Sequence, residues 1–170
     1  MELHQLPPVT GPQATILACG AWLKNTACLL QGDTVLWSAP HGDLGEPDAC
    51  IALERSVSAL VARATLRIDA VAHDLHPDFF SSQLACQVAA QLDVPAIAVQ
   101  HHHAHVGVLM AEYGLDEPVL GLTLDGVGLG TDGVSWGGEL LFVERGHWER
   151  CGHLRALPLA GGDTAAREPW

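Results

Sequence analysis

Histidine fills positions 101, 102, 103 and 105 of the chain. On a helix, residues four apart share a face, so His101 and His105 bring imidazole nitrogens within reach of one metal ion, while His102 and His103 point elsewhere. The apolar stretch 96–100 before them reads as a buried strand, and the pair then sits at the strand's carboxyl end, where open α/β sheets hold ligands. A surface run of histidines that picks up metal adventitiously has the same letters. Asp125 ends the next apolar strand and offers a third, oxygen ligand to the same ion.

Asp125 also opens the stretch D-G-V-G-L-G-T-D-G over 125–133, followed by W-G-G-E at 136–139. Gly126, Gly128 and Gly130 let backbone N–H groups approach phosphate oxygens. The spacing is not that of a dinucleotide fingerprint and no helix follows it, so that class is excluded. A glycine-rich hairpin corner without a ligand is the other reading. The third candidate is Lys24, the sole lysine of the chain, followed by Asn25 and Thr26 at an earlier turn. A cation beside an amide and a hydroxyl suits phosphate charge where the two lobes meet, which makes Lys24 the catalytic candidate, and an ordinary surface lysine is the other reading. His76, in D-L-H-P at 74–77, is either a loop-capping or a catalytic residue.

The elements that must position these groups fall into two similar series. Residues 1–13 form an irregular lead-in punctuated by proline and glycine. Strands follow at 14–19, 26–30 and 34–38, a meander with its polar corner at Lys24. A helix from an Asp48 cap to residue 64 turns Ile51, Val57, Leu60 and Val61 to one face. A buried strand at 70–73, a helix at 78–92, a strand at 96–100 and a helix at 101–113 closed by Gly114 come next. Strand–helix alternation implies parallel pairing. Strands at 119–124, 136–144 and 148–157 then repeat the opening series of strand, glycine corner, strand, tight turn, strand. The fold class is α/β, ribonuclease-H-like, the two-lobed architecture of actin, Hsp70 and sugar kinases. One lobe, 14–117, is complete, and 118–170 is the opening β-meander of a second that looks cut off.

Composition excludes several functions. The chain of 170 residues carries 8 Lys plus Arg against 20 Asp plus Glu, a formal charge of -12 that repels nucleic acid and anionic lipid. No apolar run approaches membrane-spanning length and no signal peptide opens the chain, which places it in the cytoplasm without nucleic-acid or membrane partners. Five scattered cysteines, with no C-x-x-C pair, read as reduced and mostly buried.

Taken in order, Leu23-Lys24-Asn25-Thr26, Gly42-Asp43-Leu44, Asp74-Leu75-His76-Pro77, the histidine run, the glycine stretch 125–139 and the tail 158–170 resemble the HypF family. These are the carbamoyltransferases of [NiFe]-hydrogenase maturation. The resemblance runs from about residue 14 to the end, and covers the first part of the family's C-terminal domain. That domain is related to TsaD-type tRNA-modifying and antibiotic O-carbamoylating enzymes. It implies that His101, His105 and Asp125 hold iron or zinc near nucleotide phosphates, that Lys24 meets phosphate or the carbamoyl carrier, and that Gly126 to Gly130 line the phosphate site. Val127 and Leu129 stand where the family often has Thr and Tyr.

The full family enzyme makes carbamoyl-adenylate from carbamoyl phosphate and ATP, using acylphosphatase-like and YrdC-like domains. It then passes the carbamoyl group to the C-terminal cysteine thiolate of HypE, for conversion to cyanide. Neither preparatory domain nor a second half of the transferase domain is in these residues, so the chain alone is expected not to run the whole reaction. Its implied partners are a HypE-like acceptor and the remaining HypF domains, in cis or in trans, and an apolar exposed edge implies a homodimer. Competing readings are a TsaD-like or small-molecule carbamoyltransferase, a non-catalytic docking module, and a plain metal-binding domain.

Overall fold

The computed structural model describes residues 1–7 and 13–156. Its first layer is a six-stranded sheet of β1 (Glu2–Gln5), β2 (Ile16–Ala18), β3 (Cys28–Gln31), β4 (Thr34–Trp37), β5 (Ala70–Asp74) and β6 (Ala96–Val99), in the order β1-β4-β3-β2-β5-β6. The meander β2-β3-β4 pairs antiparallel, whereas β2-β5 and β5-β6 pair parallel, as strand–helix alternation requires. The lead-in is not wholly irregular, because residues 2–5 pair antiparallel with β4. All of β1 is exposed, so burial left no apolar alternation to mark it. The tail 158–170 and residues 8–12 lie outside the described residues.

Helix α1 (Pro47–Arg63) begins with Pro47 in its first turn after Glu46, one residue before the expected cap, since proline's fixed φ suits a position whose N–H would be unbonded. It buries Ala49, Leu53, Val57 and Leu60, spaced three and four apart, and leaves Ile51 exposed, contrary to the face expected from sequence. Helix α2 (Phe80–Leu92) adds Leu84, Ala85 and Ala89. These meet Leu17, Leu29 and Val71 of the sheet in one core. Cys19 and Cys28 sit in this layer, where burial pushes their thiols up to about 12 and about 11, out of reach of thiolate chemistry. Cys86 and Cys151 are exposed instead.

Helix α3 (His101–Tyr113) ends at Gly114 with φ 60°, the left-handed stop expected there. Beyond it, β7 (Val119–Thr123), β10 (Glu139–Glu144) and β11 (His147–His153) form the second antiparallel meander, order β11-β10-β7. Between β7 and β10 the glycine stretch makes a small hairpin of β8 (Gly128–Leu129) and β9 (Ser135–Trp136). Val106 of α3 packs on Trp136, Leu141 and Val143, which fixes the histidine helix to the second sheet. Gly121 permits this approach, because a Cβ there would lie 2.3 Å from Val106 Cγ2. We expect Gly121→Ala to lower unfolding free energy by about 1–3 kcal/mol through forced repacking, read from urea denaturation. The opposite face of the sheet leaves Leu120, Leu122 and Leu124 more than half exposed.

Among the described residues, no helix is long and apolar enough to cross a membrane.

Candidate metal centre

Three chain segments converge at the carboxyl end of the parallel strands. β5 ends on Asp74, β6 passes through Gln100 directly into α3, and β7 ends two residues before Asp125. Gln100 caps α3 by accepting from the His103 backbone N–H at 2.9 Å, which starts the helix with its histidines at the sheet edge.

His101 Nε2 lies 3.2 Å from His105 Nε2 and 3.3 Å from Asp125 Oδ2, and His105 Nε2 lies 3.7 Å from that oxygen. Ligand atoms bound tetrahedrally to zinc stand about 3.3 Å apart, so the cluster has the spacing of a coordination shell. Both Asp125 carboxylate oxygens are shielded from solvent, yet neither receives an aligned hydrogen bond. Leaving a carboxylate so desolvated is costly, and a cation held by the two imidazoles and Asp125 would remove that cost. Two nitrogen donors and one oxygen donor fit zinc or ferrous iron.

The neighbours of these three residues are equally ordered. His101 Nδ1 lies 3.1 Å from Oδ2 of the buried Asp74, whose Oδ1 accepts from the His76 backbone N–H at 2.8 Å. The Asp74 hydrogen bond raises His101 above the ordinary imidazole value, against the opposing effect of burial. His102 does not point elsewhere, as helix spacing had implied. It is fully buried, with Nε2 3.3 Å from Asp125 Oδ1 and Nδ1 2.9 Å from Gln100 Nε2. Burial holds it below the usual histidine range. His103 does turn away and stacks on Trp148 at 4.9 Å between ring centroids. Sequence reasoning missed Asp74 and His102 as site residues; the signal available was an Asp closing a buried parallel strand.

Gly128 packs against the site, since a Cβ there would lie 2.7 Å from His101 Cβ. We expect Gly128→Ala to push α3 back and weaken Zn(II) binding at least about tenfold, measured by chelator competition. Gly130 is buried against Trp136, with its N–H donating to Val134 O at 2.8 Å, so that amide is spent within the hairpin. Gly126 is exposed and open on the Cβ side.

At the first corner, Lys24 is exposed and left-handed, φ 49°. Asn25 is buried and its side chain is fully used: it donates to the carbonyls of Cys19 and Ala21 and accepts from His41 Nδ1, whose Nε2 meets Ser56 Oγ. Asn25 therefore braces the corner on α1. Thr26 Oγ1 bonds the Lys24 carbonyl at 3.4 Å. The described hydrogen bonds of Asn25 and Thr26 do not reach the histidine cluster. His76 stacks on Phe79 at 4.2 Å and accepts from the Asp78 N–H, a capping arrangement.

The sequence matches the family described as "HypF Kae1-like domain" over residues 11–112 and "Carbamoyltransferase, Kae1-like Domain, second subdomain" over residues 121–170. It is 64% identical over 166 residues to the "Carbamoyltransferase HypF homolog" of Cupriavidus necator, covering 98% of this chain and 42% of that protein. It is 45% identical to "Carbamoyltransferase HypF" of Rhizobium leguminosarum bv. viciae, over 92% of this chain and 20% of that protein. The chain thus spans about two fifths of the first relative and one fifth of the second. The structure superposes on full-length HypF in its phosphate- and nucleotide-bound form with TM-score 0.80 and 40% identity, over 90% of this chain and 20% of that one. For "T.kodakarensis HypF" the TM-score is 0.85 at 35% identity, over 96% of this chain and 21% of that one. YeaZ from Pseudomonas aeruginosa, at 20% identity and TM-score 0.51, shares the fold. With the family matched across both meanders, and the ribonuclease-H-like arrangement shared by its solved relatives, the chain belongs to the HypF carbamoyltransferases and carries their Kae1-like region.

Proposed function

We propose that this chain supplies the metal-bearing part of a carbamoyl-transfer site. The observation that carries this is the His101, His105 and Asp125 cluster, with its unpartnered carboxylate, in a chain of HypF sequence. The substrates follow the family: carbamoyl phosphate and ATP give carbamoyl-adenylate, and the carbamoyl group passes to the C-terminal cysteine thiolate of a HypE-like acceptor. That thiolate attacks the carbamoyl carbon, the C–S bond forms, and the bond to the adenylate phosphate breaks. A bound zinc or iron ion supplies Lewis-acid stabilisation of charge on the phosphate. Lys24 meets the same charge from the first corner, Thr26 adds its hydroxyl, and Gly126 and Gly128 present the second corner. The HxxxH spacing on α3 keeps both imidazoles together on one face of the helix. In this reading the nucleophile belongs to the acceptor, and the raised thiols of Cys19 and Cys28 take no part.

The test is a chimera in which this chain replaces the matching region of the Cupriavidus necator relative. Thiocarbamate on the acceptor cysteine is followed by mass spectrometry. The chimera is expected to carbamoylate the acceptor and Lys24→Ala to reduce the rate at least about a hundredfold, as loss of a charge-stabilising donor does. An unchanged Lys24→Ala rate would favour a docking or plain metal-binding role. The chain by itself should give no thiocarbamate. Remaining HypF domains, or a second copy of the chain, cover the exposed leucines of β7. Light scattering at rising concentration should show self-association, and a monodisperse monomer throughout would count against it.

A further inference from the structure

We infer that adjacent histidines are locked in opposite tautomers, His101 with its Nε2 lone pair free to ligate a metal and His102 with its Nε2–H turned toward Asp125, with Asp74 and Gln100 setting the two states. This rests on the metal reading above and adds two positioning residues, Asp74 and His102, to it.

The argument is one of hydrogen-bond inventory. Gln100 Oε1 accepts the His103 backbone N–H at 2.9 Å, and Nε2 donates to the Leu129 carbonyl at 3.2 Å. Flipping this amide would set nitrogen against N–H and oxygen against carbonyl, so its orientation is fixed. The same Nε2 lies 2.9 Å from His102 Nδ1. An amide nitrogen only donates, so His102 Nδ1 must present its lone pair, and the ring proton of neutral His102 is on Nε2. That nitrogen lies 3.3 Å from Asp125 Oδ1, close enough for charge attraction but without an aligned hydrogen bond.

At His101 the logic is reversed. Its Nδ1 faces the Asp74 carboxylate, which only accepts, so Nδ1 carries the proton and Nε2 offers its lone pair toward His105 and Asp125. Asp74 is itself held by the His76 N–H and by its place at the end of a buried strand. Asp125 is thus divided: Oδ1 lies nearest the His102 ring nitrogen, and Oδ2 lies nearest Nε2 of His101 and His105. Partners of this kind orient ligands and typically change metal affinity by about 10–100-fold when lost.

The test has two readouts. Nitrogen-15 NMR of the metal-free, histidine-labelled chain should show His101 protonated on Nδ1 and His102 on Nε2. Zn(II) affinity by chelator competition should fall about 10–100-fold in Asp74→Ala and in His102→Leu. His102→Gln, whose amide N–H can stand in for Nε2–H, should recover most of it, which a merely structural role for a buried ring would not give. Circular dichroism checks each fold; should His102→Leu unfold, the spectra and the Gln variant still decide. A wild-type chain that binds no Zn(II) removes the metal reading, while its tautomers still test the lock. Reversed tautomers, or wild-type affinity in folded Asp74→Ala and His102→Leu, overturn the inference.

Discussion

Replacing both His101 and His105 by alanine is expected to take bound zinc or iron from stoichiometric to undetectable, measured by elemental analysis after dialysis against metal-free buffer. Two of the three clustered donors disappear, and Asp125 is left as a lone carboxylate. A single carboxylate in water holds a transition metal weakly, so the loss is total rather than graded. Apart from the ion pairs of His101 with Asp74 and Asp125, and of His105 with Asp125, the helix keeps its anchors, since Val106 and the Gln100 cap are untouched. The fold should therefore survive and the far-ultraviolet spectrum stay the same. Equal metal retention in the double variant would show that the ions sit elsewhere and would sink the assignment. His102 variants divide differently from what helix spacing alone implies. A ring that faced away would leave metal binding unchanged, whereas a buried ring 3.3 Å from Asp125 makes His102→Leu a partial loss.

That contrast marks where sequence is informative. The pair His101 and His105 was legible because helical periodicity alone puts residues four apart on one face, and α3 begins at the position the strand–helix pattern implied. Asp125 was legible because it closes an apolar strand next to them. His102 was not, because its role depends on a third element: the β7 end returns alongside α3 and brings Asp125 between adjacent histidines. Asp74 was seen as a strand end, but its pairing with His101 requires the parallel β5-β6 register, in which Asp74 lies beside Val99. The repeated meander was legible from its turns, while β1 was not, since an exposed strand without apolar alternation carries no periodic signal. Ile51 failed for a related reason: the 49-53-57-60 stripe of α1 is set by where the sheet lies, and hydrophobicity alone does not choose between neighbouring stripes. In the glycine stretch, Gly128 and Gly130 make room for His101 and Trp136. Composition cannot separate that packing use from phosphate contact.

Glu139→Ala should be the most destabilising polar substitution in the second meander, lowering unfolding free energy by about 3–5 kcal/mol in urea denaturation at neutral pH. Glu139 is fully buried, and its carboxylate takes Arg150 Nε at 2.6 Å, Arg150 Nη2 at 2.9 Å and the Gly137 N–H at 2.8 Å. Among the described residues, its removal leaves the guanidinium over Trp136 with Asp132, 3.9 Å away, as its ion-pair partner. Because the Arg150 side chain keeps 24% exposure, water relieves part of that cost and the lower end of the range applies. The pH dependence fixes the sign. Burial works to raise the Glu139 value, but the Arg150 hydrogen bond and the Gly137 N–H outweigh it and hold the carboxyl below the ordinary range. A depressed folded value means the ion pair stabilises fully above the unfolded glutamate value and loses its contribution as pH falls through the folded one. The gap between wild type and Glu139→Ala should therefore be constant near neutrality and close in acid. A gap below about 1 kcal/mol at neutral pH, the size of an exposed pair, would contradict the burial argument. The consequence reaches the proposed metal centre. Glu139 pairs with Thr123 across β10 and β7, and the Thr123 hydroxyl bonds the Glu139 carbonyl at 3.3 Å. Thr123 is two residues from Asp125, so loosening this pair loosens the proposed ligand, and Glu139→Ala should weaken Zn(II) binding without touching any proposed donor atom.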